Sequence, residues 1–403
     1  MKVHGPARYA LVIGIAAFAA YMVTRTLDPV IRDSKQAITF EQFKAGKLPD
    51  LTGPYLSEAK AADLHFRLFD LGIGFASSVD DAGDVLYESF GQQPIIVEKN
   101  DADGFKRKTL QLPEATMHIR RRSGATEEVA GTGVILTPGG SVITHTPDNK
   151  CLLNGRQVLL DLDNHYNSGM PSALISYSQS TAMTDEGIYY NDPFPKTGKY
   201  FEPEMNFIDW SGKARAIGRY GRWINFVGSN SIATYSYKPD SATHSTQFLA
   251  FSKAKESEIT LDGLVLDRPP LICTDSLYVS VSPNESLQRS PMKLVGGKFV
   301  RQAVPKGSYS AWLVAAGSID RCVIDAQLHD VSRTATGFPF HTSEFYVEKE
   351  RAYPIDDIYR RIGLENDDPV HPLKVAAMTP NGDLLVESDS KGLKRLYMLE
   401  RLP

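Results

Sequence analysis

From about residue 66 onward, β-branched and aromatic runs alternate with Gly, Asp, Asn and Pro turns, and long helical periodicity nearly vanishes. The closing segment shows the unit. Val375–Thr379 leads into Pro380-Asn381-Gly382-Asp383, Leu384–Ser388 follows, and Leu393–Leu399 makes a third run. Asn-Gly between two apolar runs predicts a hairpin. The same pattern predicts six more. Phe75–Ser78 turns into Val85–Tyr87, then Ile95–Val97. Gly133–Leu136 turns into Val142–His145, then Gln157–Leu160. Leu174–Tyr177 turns into Ile188–Tyr190, then Asn206–Trp210. Trp223–Val227 turns into Ile232–Tyr235, then Gln247–Phe251. Pro270–Cys273 turns into Leu277–Val279, and Trp312–Ala315 into Cys322–Ile324.

The predicted turns fall near residues 81, 138, 185, 229, 275, 318 and 381. Their central spacing is about 43–47 residues, close to the roughly 40–50 of a four-stranded propeller blade. The two end intervals are longer and call for insertions. A periodic β unit cannot bury both faces alone, and radial packing of several units solves that. Over residues 66–402 the chain resembles the seven-bladed β-propeller class in general. The resemblance implies an all-β fold of four-stranded blades, with six or eight blades as near alternatives. It reaches no named family, since no repeated Trp-Asp with Gly-His occurs and no consistent sialidase-type Asp-box. Two β-sandwich or barrel domains are the competing architecture. Two insertions stand out: a polar loop at Asp163–Gly169, and Pro354–Gly363, whose apolar spacing and Gly stop predict a short helix.

The amino terminus has a different texture. Lys2 and Arg8 precede an uncharged run from Tyr9 to Thr24, and Arg25 closes it. At about 1.5 Å per residue this run spans roughly 24 Å, short of a hydrocarbon core of about 30 Å. A signal peptide ending near Ala17-Phe18-Ala19 is one reading. The apolar run continues past that point, so residues 1–25 are read as an uncleaved transmembrane anchor, with the basic end inside and the body outside. A bacterial periplasmic setting is preferred, and the intermembrane space of a mitochondrion would look similar. Residues 26–65 are read as a polar spacer. Within it, Thr39–Gly46 has the capping residues of a short helix, and Ser57–Leu68 allows a further helical turn or two.

Composition narrows the function only broadly. The chain has 403 residues, 42% hydrophobic and 23% charged, which fits a globular body and excludes low-complexity classes. With 44 basic against 48 acidic side chains, no global field favours nucleic acid. Cys151, Cys273 and Cys322 are read as inert buried thiols, with one Cys273–Cys322 bridge as the minority reading. Asn100–Gly104 fails the calcium-loop register, and Glu365–Asp368 reads as a solvated acidic loop. The nine histidines form no H-E-x-x-H or H-x-H pair. Neither a nucleophile-elbow serine nor a phosphate-binding Gly-Lys loop is present. No haem, flavin, quinone or iron–sulfur motif appears, so no cofactor is expected.

The binding candidates are two basic sets and an aromatic one. Arg120, Arg121 and Arg122 follow His118 in a predicted strand, where Arg120 and Arg122 would share one side and Arg121 the other. Paired guanidinium groups suit a carboxylate, phosphate or sulfate. Arg219 and Arg222 lie beside Trp223, and Tyr190 and Phe194 flank a Pro-rich loop. Each set also has a structural explanation, as a charged sheet edge or as packing between blades. The expectation is a membrane-tethered interaction or accessory module with a protein partner or membrane complex. The alternative is a periplasmic hydrolase, lactonase or lyase acting on sugar or cell-envelope material, its site assembled from separate blades.

Overall fold

The computed structural model describes residues 51–403 apart from 52, 91–94, 101–105, 112–113, 147–149, 159–180, 193–203, 220–222, 228–230, 239–244, 253–254, 262–263, 267–270, 274–275, 284–287, 330–339, 365–372 and 391–392. The predicted anchor, the helix at 39–46, and the loops at 163–169 and 365–368 therefore lie outside the described residues. Among the described residues no helix is long and apolar enough to cross a membrane.

The chain folds as successive antiparallel units. A short strand β1 (Ser57–Glu58) precedes the long β2 (Phe66–Val79), β3 (Val85–Phe90), β4 (Ile95–Asn100), β5 (Lys106–Gln111), β6 (Ala115–Arg120) and β7 (Thr126–Val129). The second unit is β8 (Thr132–Leu136), β9 (Val142–His145), β10 (Cys151–Leu153) and β11 (Arg156–Gln157). The third is β12 (Thr181–Met183), β13 (Gly187–Asp192), β14 (Glu204–Asp209) and β15 (Ala214–Arg219). The fourth is β16 (Trp223–Val227), β17 (Ser231–Lys238), β18 (Ser245–Ser252) and β19 (Lys255–Leu261). Next come β20 (Leu264–Leu266), β21 (Leu271–Cys273), β22 (Ser276–Pro283), β23 (Ser290–Val295) and β24 (Lys298–Arg301). Then follow β25 (Ser308–Ser318), β26 (Arg321–His329), β27 (Phe340–Glu348), β28 (Arg351–Pro354) and helix α1 (Ile355–Arg361). The chain closes with β29 (Leu373–Met378), β30 (Leu384–Ser390) and β31 (Leu393–Arg401).

Each predicted hairpin forms, with corrections to individual strands. In the first unit Ile95–Val97 was expected as the third strand. It pairs instead with β5 in a separate two-stranded hairpin, and β6 takes the third place beside β3. This inserted hairpin accounts for the long first interval. In the third unit the first strand is Thr181–Met183; Leu174–Tyr177 lies outside the described residues. The second unit gains β10, which the sequence pattern did not predict. The predicted short helix is present as α1.

The first and last units share a strand. Residues 66–73 of β2 pair with β31, and residues 74–79 pair with β3, with an irregularity between Asp70 and Gly72. The sheet therefore runs β29-β30-β31-β2-β3-β6-β7.

Adjacent units bury apolar faces against each other. Leu86 and Ile119 pack on Val134 and Leu136, and Ile143 and Cys151 on Met183, Ile188 and Ile208. The two central seams place β12 against β16 and β16 against β21. Tyr278 and Cys273 join Ala311, Cys322 and Ile324, while Val323 and Tyr346 join Leu384, Val386 and Leu399. Val85 meets Leu385 and Met398. Sheets stacked face to face in sequence order give the chain a mostly-β, propeller-like fold.

The second half of the predicted spacer is docked on this body. Leu51 and Leu56 join the Tyr278–Cys322 cluster, and Ala61 and Leu64 join that of α1. β1 pairs in parallel with β28, and residues 61–63 form a single 3-10 turn in place of the longer helix allowed by the sequence. Four apolar residues seeking burial explain why this stretch does not stand away as a stalk. The Cys273–Cys322 bridge is not formed; Cys151, Cys273 and Cys322 are free and buried.

Candidate functional site

The site begins with a recurrent five-residue turn. At 80–84, 137–141, 146–150, 209–213 and 379–383, the first residue's N–H donates to the fifth residue's carbonyl, at 2.9–3.1 Å. The first residue is Thr or Asp, and its side-chain oxygen accepts the fifth N–H, at 2.7–3.1 Å. This local bond fixes the turn without tertiary help. Turns of neighbouring units then meet. The Asp81 N–H donates to the Pro138 carbonyl at 2.8 Å, and Thr137 Oγ1 donates to Asp185 Oδ1 at 2.9 Å. Arg321 Nη1 donates to the Pro380 carbonyl at 3.2 Å, and Tyr278 Oη to that of Ile319 at 2.7 Å. The turn at 146–150 joins β9 to β10 at one end of the stacked sheets, while those at 80–84, 137–141, 209–213 and 379–383 thus lie at the other.

At that end, between the first and last units, lies a recess of about 220 Å³. Arg120, Arg121, Arg122 and Arg401 line it, with Asp383 and Glu400. The predicted alternation of the arginines does not hold, because β6 stops at Arg120. Arg121 opens a tight turn, its N–H donating to the Ala125 carbonyl at 2.7 Å and its carbonyl accepting the Gly124 N–H at 2.8 Å. Chain reversal, in place of pleating, brings all three side chains to one recess.

Each arginine has its own setting. Arg120 is buried, with its guanidinium 4.0 Å from the Phe69 ring centroid and Nη2 3.8 Å from Glu400. Its Nη1 donates to the Gly124 carbonyl at 3.2 Å. Arg121 bridges Glu127 at 2.9 Å and Asp84 at 2.8 Å. Hydrogen bonds to Glu127 and Asp84 raise the Arg121 pKa, and the same contact lowers that of Glu127. Arg122 donates its backbone N–H to Asp84 at 2.8 Å, while its exposed side chain has no partner among the described residues. Arg401 reaches Glu348 at 3.2 Å, and its N–H donates to Asp383 at 2.7 Å. Glu348 also holds Arg321 at 2.8 Å. Burial pushes the Glu348 carboxyl up, but Arg321 and Arg401 outweigh it, and the net shift is downward.

The other predicted residues belong to different sheets. Tyr190 sits in β13 opposite Thr181 and Asn206, Arg219 ends β15 opposite Glu204, and Trp223 opens β16 opposite Tyr235. Arg222 and Phe194 lie outside the described residues. Phe69, Asp84, Glu400 and Arg401 were not anticipated. Glu400 and Arg401 follow an ordinary strand, and nothing local in the sequence marks them as neighbours of Arg120.

A second cluster lies in the unit that precedes the last. Asp325 and Glu344 face each other across β26 and β27. Burial foremost, then Asp325 and Asp356, push the Glu344 carboxyl up to about 8, against the Val375 N–H and Lys374. Among the described residues no group of three metal-ligating side chains could hold an ion.

No family model matches the chain, and no curated protein does. Solved structures with similarity include the β-propeller domain of the trilobed protease from Pyrococcus furiosus. It is 12% identical, with 82% of this chain and 84% of that one covered and a TM-score of 0.37. The acylaminoacyl peptidase of Pyrococcus horikoshii is 11% identical, with 83% and 46% covered and a TM-score of 0.38. A Trypanosoma rangeli sialidase is 10% identical, with 83% and 54% covered and a TM-score of 0.32. At that similarity none of them assigns an activity to this chain, and the propeller-like fold rests on the strand pairing and seams described above.

Proposed function

We propose that this chain is a tethered interaction module. Its four-stranded units close into a ring of seven blades, with β2 joining the last blade to the first. Residues 9–23 hold it in a membrane with the body on the outer, periplasmic face. The end of the ring where the recess opens meets a protein partner or a membrane complex. The observation that carries this reading is the recess, where four arginines converge on the seam and one of them, Arg122, presents to solvent a guanidinium with no partner among the described residues. Native mass and composition after gentle detergent extraction test it. A stoichiometric complex that dissociates on Arg122→Glu is expected. A lone particle near the 44.5 kDa chain mass would refute it.

A second reading, a hydrolase, draws on the Asp325–Glu344 pair. Two facing carboxyl groups, one held protonated near neutral pH, are what general acid–base chemistry asks for. Turnover of envelope glycans or lactones that is abolished by Glu344→Gln would favour it over the module.

A further inference from the structure

We infer that the recess is a receptor for a single carboxylate group, presented by an acidic protein segment. The inference rests on the interaction-module reading and names what that surface recognises.

Three of the four arginines are already matched. Arg120 faces Glu400, Arg121 holds Asp84 and Glu127, and Arg401 holds Glu348. Asp383 is occupied by the Thr379 hydroxyl, at 2.8 Å, and by the Arg401 N–H. These acids therefore do not turn toward a ligand. Arg122 alone keeps its guanidinium without a partner among the described residues, and across the network Arg67, Arg120, Arg121, Arg122, Arg321 and Arg401 stand against Asp84, Glu127, Glu348, Asp383 and Glu400, which leaves about one unit of positive charge over. A monoanionic carboxylate matches that charge. A phosphate dianion would bring a second negative charge toward Glu400 and Asp383, with no further cation free to meet it.

Reach is built into the turn. The Arg122 N–H is pinned to Asp84, so the root of the side chain is fixed while its tip is free. Arg120 forms the floor, stacked on Phe69 and largely shielded from water, which strengthens any hydrogen bond it shares with an incoming oxygen. Size points the same way. At about 220 Å³ the recess is smaller than the roughly 300–1,000 Å³ of sites for drug-sized molecules. It fits one Asp or Glu side chain with its backbone passing outside, and not a nucleotide or a cofactor.

The test uses the full chain in detergent and a fluorescein-labelled, capped oligoglutamate peptide followed by anisotropy. Binding is expected that weakens by about tenfold to a hundredfold in Arg122→Gln, the loss of a hydrogen bond to a charged group. Arg156→Gln, at the exposed edge strand β11, leaves it unchanged. Glutarate displaces the peptide, and inorganic phosphate does so no better than sodium chloride of equal ionic strength. No binding, an equal loss in both variants, or displacement by phosphate below the glutarate concentration overturns the inference. A complex recovered from membranes that resists excess oligoglutamate would leave the module standing and remove this site from it. Arg122-dependent peptide binding by a chain that purifies alone would do the reverse.

Discussion

Replacing Glu348 by Gln tests whether charge in the seam between the last two units holds them together. Glu348 is the middle of a three-member clamp: Arg321 on the neighbouring strand β26, and Arg401 at the end of β31 in the next unit. The Glu348 side chain is 10% exposed, that of Arg401 16% and that of Arg321 30%. Removing one partner of a buried pair costs about 3–5 kcal/mol, because the other charge stays buried. Arg321 is near enough to water to recover part of its hydration, so the expected loss is about 2–3 kcal/mol. Urea unfolding at pH 7, read by intrinsic fluorescence, measures it. The sign with pH is fixed by the downward shift of Glu348. The folded state holds the proton less tightly than the unfolded chain, so the stabilisation is present above the ordinary glutamate range. It is lost as pH falls through the lowered value. The gap between wild type and Glu348→Gln must therefore narrow below pH 4. A loss under about 0.5 kcal/mol at pH 7, or a gap independent of pH, would show that apolar packing alone holds this seam.

Three further outcomes are expected. Glu344→Gln raises the thermal midpoint at pH 8, because the half-buried carboxyl, pushed up to about 8, contributes stability only while protonated; that contribution is lost as pH rises, so the variant's advantage disappears near pH 5. A midpoint difference that stays constant from pH 5 to 9 would contradict this. Gly382→Ala lowers stability by about 1–3 kcal/mol, since Gly382 sits at φ 91° and a Cβ there would meet the Tyr346 hydroxyl; chemical unfolding reads the change. The Cys322 thiol, pushed up to about 12 by burial, and that of Cys151, pushed up to about 11, resist Ellman's reagent in the native protein and react at once in denaturant.

The parts of the fold legible in the sequence are those whose signal is local. Asn381-Gly382 announced its hairpin because a short turn limits the residues it accepts, and α1 showed itself by apolar spacing and the Gly363 stop. The first unit misled for a physical reason. Ile95–Val97 is the more apolar run, yet β6 (Ala115–Arg120) takes the core position with only Met117 and Ile119 as apolar guides among polar neighbours. β5, Lys106–Gln111, is nearly all polar and gave no strand signal at all, so the inserted hairpin could not be recognised. The site divides in the same way. Three consecutive arginines are conspicuous in any sequence. Their convergence came from the turn at Arg121–Gly124, which a strand reading of residues 118–122 overrode. Arg401 and Glu400 are brought to Arg120 by the pairing of β2 with β31, a contact between opposite ends of the described chain.

That pairing has a consequence during synthesis. The strand that covers residues 66–73, residues 393–401, is made about 320 residues after them. At roughly 5–20 residues per second the interval is on the order of 15–65 s. Throughout it, one edge of β2, with Phe66, Leu68 and Phe69, is an unpaired template for any other extended chain nearby. The two acid–arginine pairs across this ladder, Arg67–Glu400 and Asp70–Arg395, place charge on the waiting edge at alternate ends. Charge on an edge strand disfavours pairing with an uncharged or like-charged chain, and in the folded protein Arg67 and Asp70 find their opposite charges on β31.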